Sequence, residues 1–196
     1  MKILIIGVGG IGSFLIRELN KLILNEQINL KEIDIDVTDF DKVEIKNIKY
    51  QNFPIDDLMK YKTESLEKRY KFFNYLNKEI KTEEQLKEYD MFICCVDNAK
   101  TRKLIIEHSF KEDKYFIDLR SEGRAIAIFT KTDKSNKEEL LKTLGDSKEN
   151  KSCQLEYELE NNIIQNGNII VSTIGSQLLL NKLRKENNQE KYLFYF

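Results

Sequence analysis

The beginning of the chain constrains the fold more than any other part of the sequence. Residues 2–6 are a lysine followed by four aliphatic residues, a run that is typical of a parallel strand buried on both faces. From Ile11 to about Leu24, apolar residues recur at helical spacing. This strand and helix, joined by a turn, predict an α/β fold. The turn between them is rich in glycine: Gly7, Gly9, Gly10 and Gly12.

The same alternation of strand and helix recurs along the chain. Residues 33–37 alternate aliphatic with acidic side chains and predict a second strand, with acids gathered at its carboxyl end. Residues 91–96 are another continuous apolar run, followed by a helical stretch that ends near His108. We therefore predict one Rossmann-like domain over residues 1–196, a mostly parallel sheet with helices on both faces. Further strands are predicted at 115–119 and 124–130, helices at 57–77, 82–88, 136–144 and 161–185, loops at 43–54 and 132–152, and an aromatic strand or tail at 191–196.

Charge and cysteine content argue against several classes of protein. Lys and Arg number 32 against 33 Asp and Glu, so no global field favours nucleic acid or a membrane surface, and we expect neither as a partner. The apolar run at the start is too short for a signal peptide or a membrane span, which predicts a cytoplasmic protein. The three cysteines, two of them adjacent, predict reduced thiols and no structural zinc.

The glycine turn indicates a binding site for phosphate. Residues 7–12 read G-x-G-x-x-G between a strand and a helix, where glycines let backbone N–H groups approach an anion and the helix N-terminus favours negative charge. Many proteins that bind NAD use the same turn, with an acid about 20 residues further on that holds the ribose. Asp34 lies near that spacing, so the glycines alone do not separate NAD from ATP.

Three further segments carry a resemblance to a known family. DFDKVEIKNIKYQNF (residues 39–53), DLMKYK (57–62) and FICCVDNAKTR (92–102) follow the glycine turn in this order. Together they resemble successive signatures of the ThiF/MoeB/HesA family of ubiquitin-activating-like enzymes. The matching positions are Asp39, Asp41, Val43, Asn47, Ile48, Gln51, Phe53, Lys62, Asp97, Asn98 and Arg102.

The resemblance implies an ATP-dependent adenylyltransferase that activates the C-terminal carboxylate of a ubiquitin-like or sulfur-carrier protein and releases pyrophosphate. It implies ATP and Mg²⁺ as cofactors and a homodimer as the assembly. Asp39 would hold the ribose, Lys62 the phosphates, and Asp97 the Mg²⁺. Catalytic roles are implied for Lys62, Asp97, Asn47 and Gln51, and nucleotide contacts for Gly7, Gly9, Gly10, Gly12, Asp39, Asp41, Lys62 and Asn98.

Simpler roles compete with these. Lys62 would otherwise be a solvated helix lysine, and Asp97 a helix N-cap. Where the family usually has an arginine, this chain has Tyr50, which supplies no fixed charge. Either Lys49 or an arginine from elsewhere substitutes, or catalysis is weak or absent. A non-catalytic nucleotide- or partner-binding protein is therefore the second hypothesis, and an NAD(P)-dependent oxidoreductase the third.

The roles of Cys153 and of the C-terminal helix stay open. Cys153 is a candidate nucleophile for an activated acyl group, or else an incidental thiol, because no activating base lies near it in the sequence. Cys94 and Cys95 are predicted in the core. The helix at 163–183 is apolar enough for the core or for a partner surface, and its spacing does not distinguish the two. The identity of the activated carboxylate also stays open.

Overall fold

The computed structural model of the chain describes residues 1–145, 156–161 and 163–196. Within these residues the chain forms seven strands and six α-helices, joined by loops and short 3₁₀ turns. The strands are β1 (Lys2–Ile6), β2 (Asp34–Thr38), β3 (Asn74–Leu76), β4 (Met91–Cys94), β5 (Tyr115–Glu122), β6 (Ala125–Thr130) and β7 (Lys191–Tyr195). The helices are α1 (Gly12–Leu24), α2 (Lys62–Glu67), α3 (Ala99–Lys111), α4 (Lys137–Lys142), α5 (Glu156–Glu160) and α6 (Gly167–Leu183).

The strands form one sheet in the order β3-β2-β1-β4-β5-β6-β7. The first five strands in this order are parallel, and β6 and β7 extend the sheet in antiparallel fashion. In the centre, Ile5 of β1 lies between Val37 of β2 and Ile93 of β4. After β1 the chain adds β2 and β3 on one side of β1, and then crosses to add β4 on the other side. This reversal opens a crevice at the carboxyl ends of β1 and β4, where α/β sheets bind their ligands.

Helices cover both faces of the sheet. On one face, Ile3 and Ile5 of β1 join a buried cluster that includes residues of α1 and α6. On the other, Leu4 and Ile6 belong to a second cluster with residues of α3 and α4. Alternate residues of β1 thus point to opposite cores, because side chains alternate along a strand. The α/β architecture, the mostly parallel sheet and the helices on both faces are confirmed.

The predicted helix over residues 57–77 is wrong. Only α2 is helical there; Met59 has a positive φ of 67°, which no continuous helix accepts, and Asn74–Leu76 is strand β3. β3 pairs with β2 and satisfies the backbone groups of that sheet edge, a gain that a local helical pattern does not reveal. Of the apolar residues whose helical spacing suggested one helix, Leu66 lies in α2 and Leu76 in β3, and the others lie outside helices and strands: Leu58, Tyr61, Tyr70 and Phe73.

Smaller differences concern the ends of elements and the short helices. The loop at 43–54 contains a 3₁₀ turn at Ile45–Lys49, and the predicted helix at 82–88 is a 3₁₀ turn at Glu83–Leu86. The C-terminal helix begins at Gly167, so Ile163 lies outside it and is exposed. Residues 191–195 form a strand rather than a tail. Cys153 and residues 146–152 of the predicted loop lie outside the described residues, whereas residues 132–145 are described and contain α4.

The buried stripe of α6 packs within the chain. Val171, Leu178 and Leu179 of this helix belong to the core cluster of α1 and β5. At Gly175 an added Cβ would lie 2.5 Å from a methyl carbon of Leu119, so the helix needs a small residue to approach the sheet. This face is therefore core. In the described part of the chain, no helix is both long and apolar enough to cross a membrane.

Candidate functional site

A cavity of about 700 Å³ opens at the carboxyl ends of β1, β2 and β4. It lies at the point where the sheet order reverses, so the ends of three strands and the loops that follow them converge on it. Most of the predicted site residues are brought together here although they are distributed over 92 positions of the chain. Those that line the cavity are Gly7, Gly9, Gly10, Asp39, Asp41, Gln51, Lys62, Asp97 and Asn98.

The glycines of the turn have different physical roles. Gly7 has a φ of 87°, where side chains are strained. A Cβ at Gly12 would lie 2.0 Å from the carbonyl oxygen of Gly7, so the turn can close only with glycine at this position. Gly12 does not line the cavity. At Gly9 the nearest side-chain atom to an added Cβ is Nε2 of Gln51, at 3.8 Å. The fold therefore needs Gly7 and Gly12, whereas Gly9 leaves space on the cavity side.

The N-terminus of α1 is free to bind an anion. Its N-cap, Ile11, offers no side-chain acceptor, and in the described part of the chain no hydrogen bond is formed by the N–H groups of Gly9 and Gly10. Ser13 N–H already bonds to the Gly9 carbonyl. Unsatisfied N–H groups at the positive end of a 13-residue helix favour a phosphate or carboxylate.

Asp39 fastens the end of β2 to the glycine turn. Its Oδ2 accepts the Val8 N–H at 2.7 Å and its Oδ1 accepts the Asp41 N–H at 2.8 Å. Burial raises the pKa of this carboxyl, while the charge of Lys62 and the two backbone N–H bonds act in the opposite direction. The carboxylate is thus both a structural tie and a polar group on the cavity wall.

Lys62 is a buried cation among three carboxylates. Its side chain is 8% exposed and its Nζ lies 2.8 Å from Oδ2 of Asp41. Burial acts to lower the pKa of Lys62, but the negative charges of Asp39, Asp41 and Asp97 and the hydrogen bond to Asp41 outweigh it and raise the pKa. Lys62 is therefore charged at neutral pH. It is not a solvated helix lysine, and it brings a fixed positive charge to the cavity.

Gln51 and Asp97 hold polar groups toward the cavity. Oε1 of Gln51 is buried without a hydrogen-bond partner in the described part of the chain, which is unusual unless a ligand completes the site. Asp97 is exposed and lies three residues after the last residue of β4. Mg²⁺ usually takes one or two carboxylates plus substrate phosphates, and Asp97 fits that role. No group of three His, Cys, Asp or Glu side chains among the described residues could hold a metal alone, so the phosphates would have to complete the coordination.

Two predicted residues have structural tasks. Asn47 is 3% exposed and its Oδ1 accepts the Glu44 N–H at 2.8 Å, closing the turn at Ile45–Lys49; it does not line the cavity. Asn98 lines the cavity but is also the N-cap of α3, since its Oδ1 accepts the Thr101 N–H at 2.7 Å. The cap is therefore Asn98 and not Asp97. Asp97 remains available to a ligand.

The acid proposed for NAD is in the wrong place. Asp34 begins β2, at the opposite end of the strand from the cavity, and its Oδ1 accepts a hydrogen bond from Asn74 at 2.7 Å. Spacing along the sequence suggested Asp34, but the strand continues for four more residues before it reaches the crevice. The acid that follows the carboxyl end of β2 is Asp39.

The cations of the cavity are lysines. Tyr50 lines the cavity at the position of the family's arginine, and no arginine in the described part of the chain lines it. Lys49 is exposed and does not line it either. Apart from Lys62, the lysines lie toward α3 and the segment after β3: Lys78, Lys81, Lys100 and Lys103.

A second cavity of about 420 Å³ adjoins the first at Val96 and Asp97. Its floor includes Arg102, whose guanidinium bonds to the Val96 carbonyl and pairs with Asp118 of β5. Arg102 therefore supports the loop after β4 and does not reach the first cavity. The walls include small and apolar side chains of β6 and β7, among them Ala125, Ala127 and Leu193.

Two residues near the site carry no local sequence signal. Asn168 of α6 donates to the carbonyls of Gly10 and Tyr50, and Ser172, one turn later, donates to the carbonyl of Ile11. Both are buried. They lie more than 150 residues from the glycine turn, so only the fold reveals the contact.

The fold and the site define a class of protein: a Rossmann-type α/β protein with a glycine-lined crevice at the carboxyl edge of a parallel sheet. Within that class the chain belongs to the ThiF family, whose sequence profile matches residues 1–196. The resemblance seen in the sequence is thereby confirmed. No curated protein sequence matches the chain.

Solved structures share the fold. PaaA has a TM-score of 0.69 at 16% identity, over 100% of this chain and 60% of its own. E. coli MccB solved with ATP has a TM-score of 0.66 at 16% identity, over 100% of this chain and 60% of MccB. E. coli MccB solved with MccA has a TM-score of 0.68 at 15% identity, over 100% of this chain and 61% of MccB. The chain thus spans about 60% of the length of these structures.

Proposed function

We propose that this chain binds ATP with Mg²⁺ in the first cavity and adenylates a carboxylate. A carboxylate oxygen would form a bond to the α-phosphorus while the bond from that phosphorus to pyrophosphate breaks, giving an acyl adenylate and pyrophosphate. The observation that carries the proposal is the buried, charged Lys62 in the same cavity as the glycine turn. E. coli MccB, which shares the fold, has been solved with ATP, and this supports the choice of nucleotide.

The charges of the cavity suit this chemistry. A carboxylate that approaches a triphosphate is repelled by it, so cations must absorb the charge of the phosphates and of the departing pyrophosphate. Lys62 supplies one such charge, and the N–H groups at the start of α1 supply partial positive charge. Mg²⁺, held by Asp97 and the phosphates, would supply the remainder. Asp39 would accept hydrogen bonds from the ribose, and Nε2 of Gln51 would donate to the phosphates.

The second cavity supports a substrate that is a chain terminus. It meets the first at Asp97, so an extended segment lying in it would bring its terminal carboxylate to the nucleotide. The resemblance favours the C-terminus of a ubiquitin-like or sulfur-carrier protein. MccB has been solved with MccA, and a peptide is therefore an equal candidate.

One observation favours a second function, a nucleotide-binding protein without catalysis. Tyr50 replaces the arginine of the family, and no arginine among the described residues lines the cavity. A guanidinium offers five donors and a fixed charge, while a phenol offers one donor. We favour the enzyme because the other charged positions of the family pattern, Asp39, Lys62 and Asp97, meet in the cavity.

Exchange of pyrophosphate into ATP tests the proposal. The wild-type protein should catalyse exchange only when a carrier protein or peptide with a free C-terminal carboxylate is added, and amidation of that terminus should abolish it. Asp97→Asn should slow exchange on the order of 100-fold. Asp133→Asn, which changes an exposed carboxylate that lines neither cavity, should leave the rate unchanged. Exchange that needs no carboxylate, or an Asp97→Asn protein as fast as wild type, would contradict the assignment.

A further inference from the structure

Asn168 of α6 joins the two backbone segments that carry the glycine turn and the Tyr50–Gln51 pair. Its Nδ2 donates to the carbonyl oxygen of Tyr50 at 2.6 Å and to that of Gly10 at 3.3 Å. The side chain is buried, with the residue 2% exposed. One amide group thus fixes the distance between two parts of the cavity wall that are 40 residues apart in the sequence.

The chemistry of this contact requires an amide. Two carbonyl oxygens face the same nitrogen, and an NH₂ group carries the two hydrogens that they accept. Oδ1 of Asn168 accepts the Ile169 N–H at 3.0 Å, which fixes the orientation of the amide. An aspartate of the same shape would place a carboxylate against both carbonyls and could donate to neither.

Asn168 controls the separation between the glycine turn and the Tyr50–Gln51 pair, and a bound phosphate would lie between these two segments. Gly9 lies beside Gly10, and Gln51 beside Tyr50. The amide of Gln51 lies 3.8 Å from the position of a Cβ at Gly9, so the two sides of the wall are close. A second tie, between the Asn52 N–H and Oγ of Ser13 at 3.0 Å, joins the same loop to α1 beyond the turn. Of the two ties between the loop and the segment with the glycine turn and α1, the one made by Asn168 is therefore the one on the ligand side.

We propose that Asn168 is a positioning residue that sets the separation of the glycine turn from Tyr50 and Gln51 and thereby the fit of the nucleotide phosphates. Its effect on ATP rests on the proposed function, whereas its effect on the two backbone segments does not. Ser172 provides a matched control. It lies on the same helix and is buried, and its Oγ lies 2.7 Å from the Ile11 carbonyl oxygen and 2.6 Å from the backbone carbonyl oxygen of Asn168. Outside α6 its hydroxyl therefore bonds to the turn and not to Tyr50.

Hydrogen–deuterium exchange of the protein without ligand tests the positioning role. Asn168→Ala should speed exchange of backbone amides in both residues 8–13 and residues 47–53. Ser172→Ala should speed exchange in residues 8–13 alone. If Asn168→Ala changes one segment only, or if both variants change both segments alike, Asn168 is not the bridge we infer.

Binding of ATP with Mg²⁺, measured by calorimetry on the same proteins, tests the consequence for the site. Asn168→Ala should weaken ATP on the order of tenfold, and Ser172→Ala by less than about threefold, at comparable melting temperatures. ATP bound equally well by both variants would overturn the inference. If wild type binds no ATP while the exchange pattern is as expected, the nucleotide function fails and the positioning of the two segments stands. Asn168→Asp, if folded, should be at least as impaired as Asn168→Ala.

Discussion

Two glycines of the turn differ in what they affect: Gly12 is needed for the stability of the fold, and Gly9 for binding of the ligand. Gly12→Ala would place a Cβ 2.0 Å from the Gly7 carbonyl oxygen and should destabilise the protein by on the order of 3 kcal/mol. Gly9→Ala meets no atom closer than 3.8 Å and should change stability by less than about 1 kcal/mol. The added methyl group enters the cavity, however, so ATP affinity should fall at least about tenfold. Thermal unfolding and calorimetry distinguish the two, and a Gly9→Ala protein that binds ATP normally would show that the phosphates lie elsewhere.

Substitutions at Tyr50 distinguish the two proposed functions, catalysis and nucleotide binding without catalysis. If the site is catalytic with Lys62 as its fixed cation, Tyr50→Arg should alter the rate of pyrophosphate exchange by less than about tenfold. Tyr50→Phe, which removes the hydroxyl alone, is the control. A wild-type protein that binds ATP but exchanges nothing, together with activity gained by Tyr50→Arg, would favour the non-catalytic protein.

At the scale of the element, α3 carries a buried histidine that should make stability depend on pH. His108 is 1% exposed, packs edge-on against Phe92, and neither ring nitrogen has a hydrogen-bond partner in the described part of the chain. Burial lowers the pKa of His108 from its ordinary value of 6.5, although Glu83 and Glu112 act to raise it. As pH falls below 6.5 the unfolded chain takes up a proton before the folded one, so the free energy of unfolding should decrease.

His108→Phe removes this proton uptake and keeps an aromatic ring against Phe92. The loss of stability between pH 7 and pH 5 should therefore be smaller in His108→Phe than in wild type. Urea unfolding at the two pH values measures the difference. An equal loss in the two proteins would mean that other groups control the acid sensitivity.

The elements show which features a sequence can predict. β1, the turn and α1 were correctly predicted because strand, glycines and helix are local and consecutive. β3 was missed because its stability comes from pairing with β2, which is not encoded in the segment itself. The acids at the end of β2 were placed there by the alternating pattern and given a role by the resemblance, whereas counting residues from the glycines suggested Asp34, at the wrong end of the strand. Asn168 and Ser172 could not be found, because their partners are about 120 to 160 residues away.

At the scale of the whole molecule, exposed apolar side chains support the homodimer that the resemblance implies. Four of them lie in the segment that follows β2: Phe40, Ile45, Ile55 and Met59, 48–68% exposed. Phe40 also lines the first cavity, so an interface here would adjoin the nucleotide. We expect a dimer in sedimentation equilibrium.

A double variant, Ile45→Glu with Met59→Glu, should convert that dimer into a folded monomer, because like charges would be buried against an apolar surface. Leu24→Glu changes a side chain that is 62% exposed at the end of α1 and should leave the dimer intact. A monomeric wild type, or a double variant that remains dimeric, would exclude this segment as the interface.

Calorimetric titration of the wild-type protein with ATP in Mg²⁺, and separately with NAD, tests the central claim most directly. The account predicts that ATP binds and NAD does not at the same concentrations. Lys62→Met should weaken ATP at least about tenfold, because it removes the buried cation. Lys46→Met, which alters an exposed lysine that does not line the cavity, should bind ATP as wild type does. Binding of NAD without ATP, or ATP bound equally by the Lys62→Met protein, would contradict the account.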